Sequence, residues 1–348
     1  MMTPFETAAP PPPQMEETAI ALVDQTGRIV REGKVASEIE AIDGWLNRHR
    51  DGMARIGLEA GPLSSWLYAG LKERGWPVIC IETRRLRAVT RAMPVKSDRK
   101  DAEAIAQVMR TGWYRPVHVK SLASQQLRML LRHRKVLQAK RLDIENELRG
   151  TLKAFGLKPG AVTPSTWAAR VRELVGDEPW LERLARPMLA ARQALIASFA
   201  ELHALMLKIV KDDPICRRFM TVPGIGAVNA LAFKTGVDDP GRFRHSADLG
   251  PHFGLTPRRY QSGETERIGP ISKCGDAMVR SLLFEAALIL LYRVKKTSAL
   301  QRWARALAKR IGARKAAVAL ARRLAVVLHR MWVDGTDFNP DPVRVAAR

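Results

Sequence analysis

The chain is short of acids. Against 58 Lys and Arg it sets only 35 Asp and Glu, so its 348 residues carry a formal net charge of +23 and an isoelectric point near 10.7. Such an excess argues against an enzyme of small metabolites and points to a polyanionic partner, nucleic acid first. Cysteine is scarce too. Cys80, Cys216 and Cys274 are odd in number, far apart and without metal-ligand spacing, which argues against a disulfide framework and a zinc site. Long apolar runs are also missing: ALILLYRV, from Ala287, falls well short of the roughly 18 residues that span a bilayer. The N-terminus has no basic stretch followed by an apolar one, so no secretion signal is read. These absences lead to the expectation of a cytoplasmic, nucleoid-associated protein that does not enter a membrane.

What is present falls into segments. Residues 1–17 form a Pro-rich head, MMTPFETAAPPPPQ at its core, expected to be disordered or extended. TAIALVD, the turn residues QTG and RIVREGKV predict a hairpin. A helix follows around Ser37–Arg48. ARIGLEA and WPVICIE read as buried strands flanking the amphipathic helix LSSWLYAGLKERG, a βαβ unit with parallel strands. From Ser121 the texture changes. Leu130, Leu137 and Ile144 step by sevens and Leu148, Leu152 and Phe155 extend the seam, which predicts a long coiled-coil helix with an antiparallel partner near 192–210. The rest reads as helices and loops, and its last fifty residues are strongly basic. There Arg302, Arg305, Lys309 and Arg310 have few acids nearby and suit phosphate contact.

The stretch PVKSDRKDAEAIAQ sets Asp98 and Asp101 three apart at the start of a helix capped by Ser97. Helix-end electrostatics explains acids there. So does metal binding, because residues at i and i+3 share one face and two carboxylates can hold Mg²⁺. Glu59 closes the strand ARIGLE just before a turn, and ligands of parallel α/β sheets collect at the carboxyl ends of strands. Were the three carboxylates to converge among basic residues, they would suit metal-assisted phosphoryl transfer. VPGIGAVNALAF has the look of a helix-hairpin-helix turn, with Gly224 and Gly226 allowing backbone N–H groups to grip a phosphate. Its plainer reading is a Gly-rich loop between packed helices. Ser262 lies in a loop with Arg258, Arg259 and Arg267, a setting in which a serine can attack a phosphodiester. Lys273 follows in ISKCG, where Ser272 is expected to cap the next helix.

LEAGP, KSDRKDAEAIAQVMRTGWYRPVHVKS, VPGIG and GLTPRRYQSGETERIGPISKCGDAMVR, in this order, resemble the DEDD-type insertion-sequence transposases, serine-dependent recombinases guided by a bridge RNA. The resemblance runs from about Thr18 to Arg330. It implies an α/β RNase H-like N-terminal domain over 18–120, a helical coiled coil over 121–213, and a mostly α transposase domain over 214–330, with 331–348 a basic tail. It further implies Mg²⁺ on four acids, of which Glu59, Asp98 and Asp101 match the second, third and fourth. Ser262 matches the nucleophile, with Ser272 the alternative, and the glycines and basic residues named above would hold DNA. The implied partners are DNA, a structured guide RNA and further copies of the chain, as a homodimer or homotetramer.

One position departs from the family. Its first acid lies in a short Gly-x-Asp strand before the segment matching ETAIALVD, and counting back from Thr18 puts Pro12 there. Asp24 belongs to the hairpin turn, and PPPP makes a poor central strand. Either the reading frame begins out of place or this copy is damaged. Alternative functions are therefore a defective relic that only binds nucleic acid, or a metal-dependent junction resolvase that needs the acids but not Ser262.

Overall fold

Alternating residues in ETAIALV and IVREGKVA make β1 (Glu17–Val23) and β2 (Ile29–Ala36), an antiparallel hairpin with a bulge at Leu22/Val23. The protein is described by a computed structural model, which covers residues 16–91, 97–263 and 265–341. Residues 1–15 of the Pro-rich head, Pro12 included, lie outside the described residues, while Glu17, counted with the head in the sequence reading, is the first residue of β1. The chain divides at Lys120/Ser121 into two units, taken in turn.

In the first unit the hairpin is followed by α1 (Ile39–Asn47), β3 (Ile56–Glu59), α2 (Ser64–Glu73), β4 (Val78–Ile81), α3 (Thr83–Thr90) and α4 (Asp98–Thr111). β3 and β4 pair in parallel, as the βαβ pattern predicts. The outer edge of β4 is met by the segment after α4, with a bridge from Ile81 to Pro116 and Val117 N–H donating to the Cys80 carbonyl at 2.8 Å. Among the described residues the two strand pairs do not join into one sheet. Ile20 and Leu22 of β1 and Ile56 and Leu58 of β3 pack on one apolar cluster with Ile42, Trp45 and Leu46 of α1 and Leu67 and Leu71 of α2. α4 takes the opposite side. Ser97 caps it, accepting from Lys100 N–H at 3.3 Å, and Gly112 ends it in the left-handed region at φ +72°.

The second unit opens with α5 (Leu122–Leu152), followed by α6 (Trp167–Val175) and α7 (Pro179–Asp212). Arg134 donates to His203 at 3.2 Å and Arg192 to Glu145 at 2.7 Å, so α5 and α7 run antiparallel. Part of their seam is ionic: Arg192 is buried between Glu145 and the Pro164 carbonyl. Phe155 departs from the predicted seam; it follows the Leu152 end of α5 and is 62% exposed. By length and composition alone α7 could cross a membrane, contrary to the reading that no stretch is apolar enough. One such helix is weak evidence, and α7 seats Ala185, Leu189, Met206 and Val210 in the packing of this unit.

Then come α8 (Pro214–Met220), α9 (Ala227–Val237), α10 (Leu249–His252), the hairpin β5 (Pro257–Ser262) and β6 (Thr265–Ile271), α11 (Ala277–Tyr292), α12 (Ala299–Ile311) and α13 (Ala313–Asp334). Their core is closed: Phe219, Phe233, Phe253, Leu283, Leu290, Leu320, Leu324 and Leu328 are all essentially inaccessible. Small residues at Ala286, Ala287, Ala317, Ala321 and Ala325 let α11 and α13 approach closely. The β5–β6 hairpin was not foreseen in a segment read as helices and loops.

Candidate functional site

Each unit gathers some of the residues singled out from the sequence. In the first unit Gly57 sets the geometry. A Cβ there would stand 2.4 Å from Met109 Cγ and 2.9 Å from Ile105 Cγ2, so α4 rests directly on the bare backbone of β3. Strand alternation puts Glu59 on this α4 side as well, while Ile56 and Leu58 point to the α1/α2 cluster. A cleft of about 1360 Å³ opens here, lined by every residue of β1 and β3 and, on α4, by Asp98, Ala102, Ile105, Ala106, Met109 and Arg110. Glu59 and Asp98 both line it. Asp101, half-buried one turn on, is not among its lining residues.

Among the described residues no three His, Cys, Asp or Glu side chains come together as a group that could hold a metal. The carboxylates suit a hard cation such as Mg²⁺ in kind, but the set is short in number. Asp24, which also lines the cleft, cannot make up the shortfall. Its Oδ1 accepts from Thr26 N–H, Thr26 Oγ1 and Arg28 N–H at 2.9, 2.7 and 3.0 Å. The Thr26 hydroxyl leads the bonds that hold its carboxyl below the ordinary range, so this acid is committed to the turn, as the sequence suggested.

In the second unit Ser262 is the last residue of β5 rather than a loop residue. It pairs with Thr265 across a tip at which Gly263 sits at φ +57°, and the whole of β5 is exposed. Arg258 donates to the Ser272 carbonyl at 3.2 Å, Arg259 pairs with Glu266 at 3.5 Å, and Arg267 is exposed on β6. Tyr260 and Ile268, 56% and 68% exposed, stand on the same hairpin and were missed. Two alternating runs around Ser-Gly were the signal that would have found it.

The hairpin is anchored at its root. Ser272 does not cap the next helix; its Oγ accepts from Cys274 N–H at 3.3 Å within a turn where Lys273 takes φ +54°. Asp276 caps α11 instead, accepting from Met278 and Val279 N–H at 2.9 and 3.1 Å, and is ion-paired with Arg128 of α5. Asp276 wins because it stands next to the first helical residue, four positions beyond Ser272. A Cβ on Gly275 would lie 2.0 Å from the His252 carbonyl oxygen and one on Gly254 2.1 Å from that of Cys274, so the turn and α10 touch backbone to backbone.

A short turn, residues 221–226, joins α8 to α9, an arrangement common to the helix-hairpin-helix reading of VPGIG and to a Gly-rich loop between packed helices. Gly224, at φ +92°, would meet the Ala286 carbonyl at 2.9 Å if it bore a Cβ, so it serves the packing on α11. Gly226 is exposed, with open space around it, at the N-terminus of α9. Below this turn Asp213 caps α8 through Cys216 N–H at 2.9 Å and is ion-paired with Lys234. Burial pushes its carboxyl up, but the Lys234 ammonium and the cap bonds outweigh that and hold it low. Burial drives the neighbouring Cys216 thiol up to about 12. Of the basic residues near the C-terminus, Arg302 pairs with Asp341 at 2.5 Å and Arg305 donates to the Leu291 carbonyl at 3.3 Å. Those two are engaged within the chain, against the expectation of unpaired cations. Lys309 and Arg310 remain exposed.

Comparison with known proteins bears on both units. Residues 15–156 match the profile of DEDD-type transposases of the IS110 group, and residues 216–304 match that described as "Transposase IS116/IS110/IS902 family". The "Transposase for insertion sequence element IS1111A" of Coxiella burnetii is 34% identical over 67% of this chain and 65% of its own length, so the match spans just under two thirds of that relative. The "Probable family 20 transposase" of Pseudomonas aeruginosa is 32% identical over 70% of this chain and 74% of its own. The "Transposase for insertion sequence element IS1328" of Yersinia enterocolitica is 29% identical over the same share of the chain. The first match takes in the mixed α/β unit and runs on through α5, and the second covers residues 216–304 of the helical unit, Ser262 among them. The chain belongs to the IS110 family of transposases, with a DEDD domain in its first half and a Transposase_20 domain in its second.

Proposed function

We propose that the protein cuts and rejoins the DNA strands of an insertion sequence, guided by a structured RNA, with Ser262 as nucleophile. Glu59, Asp98 and Asp101 are the acids that would face a divalent ion, which when bound would offset phosphate charge. The observation that carries this reading is the exposed serine at the tip of an arginine-bearing hairpin, in a chain whose other unit lines one cleft with Glu59 and Asp98. Ser262 Oγ gives up its proton and attacks a DNA phosphorus; the new O–P bond replaces one P–O bond of the strand and frees a DNA hydroxyl. Attack by another strand's hydroxyl reverses the step and returns the serine, so no bond energy is lost to water. Arg258, Arg259 and Arg267 stabilise charge on the phosphate, and Gly224, Gly226 and Lys273 contribute backbone or cationic contacts to DNA. The assembly works as a homodimer or homotetramer.

Strand transfer with element-end DNA, the matching RNA and Mg²⁺ tests this. A serine–DNA adduct should form and vanish in Ser262→Ala, whose folding should be unchanged because β5 is exposed. Undiminished transfer by that variant would rule out Ser262. A second reading, binding without cleavage, is favoured by the short acid set. It predicts DNA binding that weakens steeply with salt and no adduct under any condition.

A further inference from the structure

The β5–β6 hairpin has two unlike faces. Side chains alternate along a strand and cross-strand partners share a face, so the register Tyr260↔Arg267 and Ser262↔Thr265 sets these four on one side. Arg258 belongs with them: a Cβ on Gly269 would stand 3.2 Å from Tyr260 Cε2 and 3.8 Å from Arg258 Cβ. The other face carries Arg259 and Ile268, paired in register, with Gln261 and Glu266. There Arg259 is ion-paired with Glu266 at 3.5 Å, and would have to come round the strand edge to reach a phosphate at Ser262. The serine's face thus holds Arg258 and Arg267, with no acid among its described residues.

Tyr260 is what this face offers beyond charge. It is 56% exposed, on a strand exposed along its whole length, and its ring lies beside Gly269, whose bare backbone leaves room for it. An aromatic ring laid over a strand glycine steadies a hairpin. That service uses one side of the ring, and more than half of the residue stays open to water.

We propose that Tyr260 seats an unpaired nucleobase, that of the nucleotide next to the phosphate brought to Ser262. Two residues along a strand face stand about 7 Å apart. Bases stacked in a duplex rise only about 3.4 Å per step, so a paired base beside that phosphate falls short of the ring. A nucleotide of an opened, extended strand reaches it in a single backbone step. Arg267, across the hairpin from Tyr260, then stands by the phosphate that links the two nucleotides. Stacking on an aromatic ring needs no hydrogen-bond pattern, so the seat takes any base and leaves the choice of sequence to other contacts. The placing of that nucleotide beside the reacting phosphate rests on the reading of Ser262 as nucleophile; the seat itself rests on the hairpin face.

Photocrosslinking tests the seat without requiring the reaction. The full-length Ser262→Ala chain is assembled with the matching RNA, Mg²⁺ and element-end DNA carrying a single 5-iodouracil, a base that crosslinks to an aromatic ring stacked on it. As the label is moved base by base, the position next to the exchanged phosphate should crosslink to Tyr260 far more strongly than the rest, and Tyr260→Leu should abolish that product. With Ser262 restored, Tyr260→Leu should slow formation of the serine–DNA adduct about tenfold, and Tyr260→Phe should bring it back. Leucine still covers Gly269, so a ring that served only as cover would lose nothing in this exchange. Crosslinks spread evenly along the strand, or none in complexes that retain the DNA, would overturn the seat. An adduct formed as fast in Tyr260→Leu as in the parent would overturn its place beside the reacting phosphate. A Tyr260 crosslink in a protein whose parent forms no adduct would keep the seat and sink the Ser262 reading instead.

Discussion

The two units solve the same packing problem to different degrees. The second is a helical core sealed by Phe233, Leu283, Leu320 and Leu328, none of which is open to water. The first packs Ile20, Leu22, Ile56 and Leu58 only partly, and among the described residues all four also line the cleft between β1 and β3. Helices satisfy their own backbone hydrogen bonds and need only side chains to close a core. A sheet needs its neighbours, and among the described residues the β1–β2 and β3–β4 pairs do not join across the cleft that β1 and β3 line.

The contrast can be broken by mutation. Phe233→Ala should have the largest effect, roughly 3–5 kcal/mol of lost stability in the second unit, since α9 and its neighbours cannot collapse onto the hole. Leu58→Ala in the first unit should cost clearly less, roughly 1–2 kcal/mol, because its side chain already borders the cleft. Denaturant titration followed separately by tryptophans of each unit would read both, and equal losses would end the comparison.

Glycines sharpen it. Gly275→Ala drives a Cβ into the His252 backbone at 2.0 Å from a left-handed position, and should cost roughly 2–4 kcal/mol. At the hairpin tip Gly263→Ala meets nothing within 4 Å and should cost only about 1 kcal/mol, from its φ of +57°. A tip as sensitive as the root would mean that the hairpin is held from both ends.

Titration offers a smaller effect. The Asp213 carboxyl is held below its unfolded value of 3.8, so its stabilisation is complete above that value and drains away as pH falls through the lower folded one. Asp213→Asn should thus lose stability at neutral pH and show a flatter acid limb below about pH 4, measured by melting across pH. The smallest signal is chemical. With its thiol pushed up to about 12, buried Cys216 should resist alkylation at pH 8, while the half-exposed Cys274 reacts. Labelling of Cys216 in the folded chain would show that the second core opens more readily than its packing implies.

The sequence alone determined the β1–β2 hairpin, α1, α2 and α4 of the first unit, the parallel pairing of IGLE with VICI, and a strongly basic chain, while α3 was not read. Each rests on local signals: alternation, turn residues and net charge. Ser97 as a cap and Asp24 as a turn acid were legible for the same reason, since their bonds reach only two to four residues along the chain. The hairpin bearing Ser262 was written there as well, and missed among the helices. Tertiary structure decided the rest. The Asp276 that caps α11 is also ion-paired with Arg128 of a distant helix, and Arg302 and Arg305 found partners that no local pattern names. That β1 and β3 line one cleft could be seen only once these two strands, more than thirty residues apart in the chain, had been brought to either side of it. Contacts of that range depend on where whole elements settle, and a sequence read residue by residue does not carry that information.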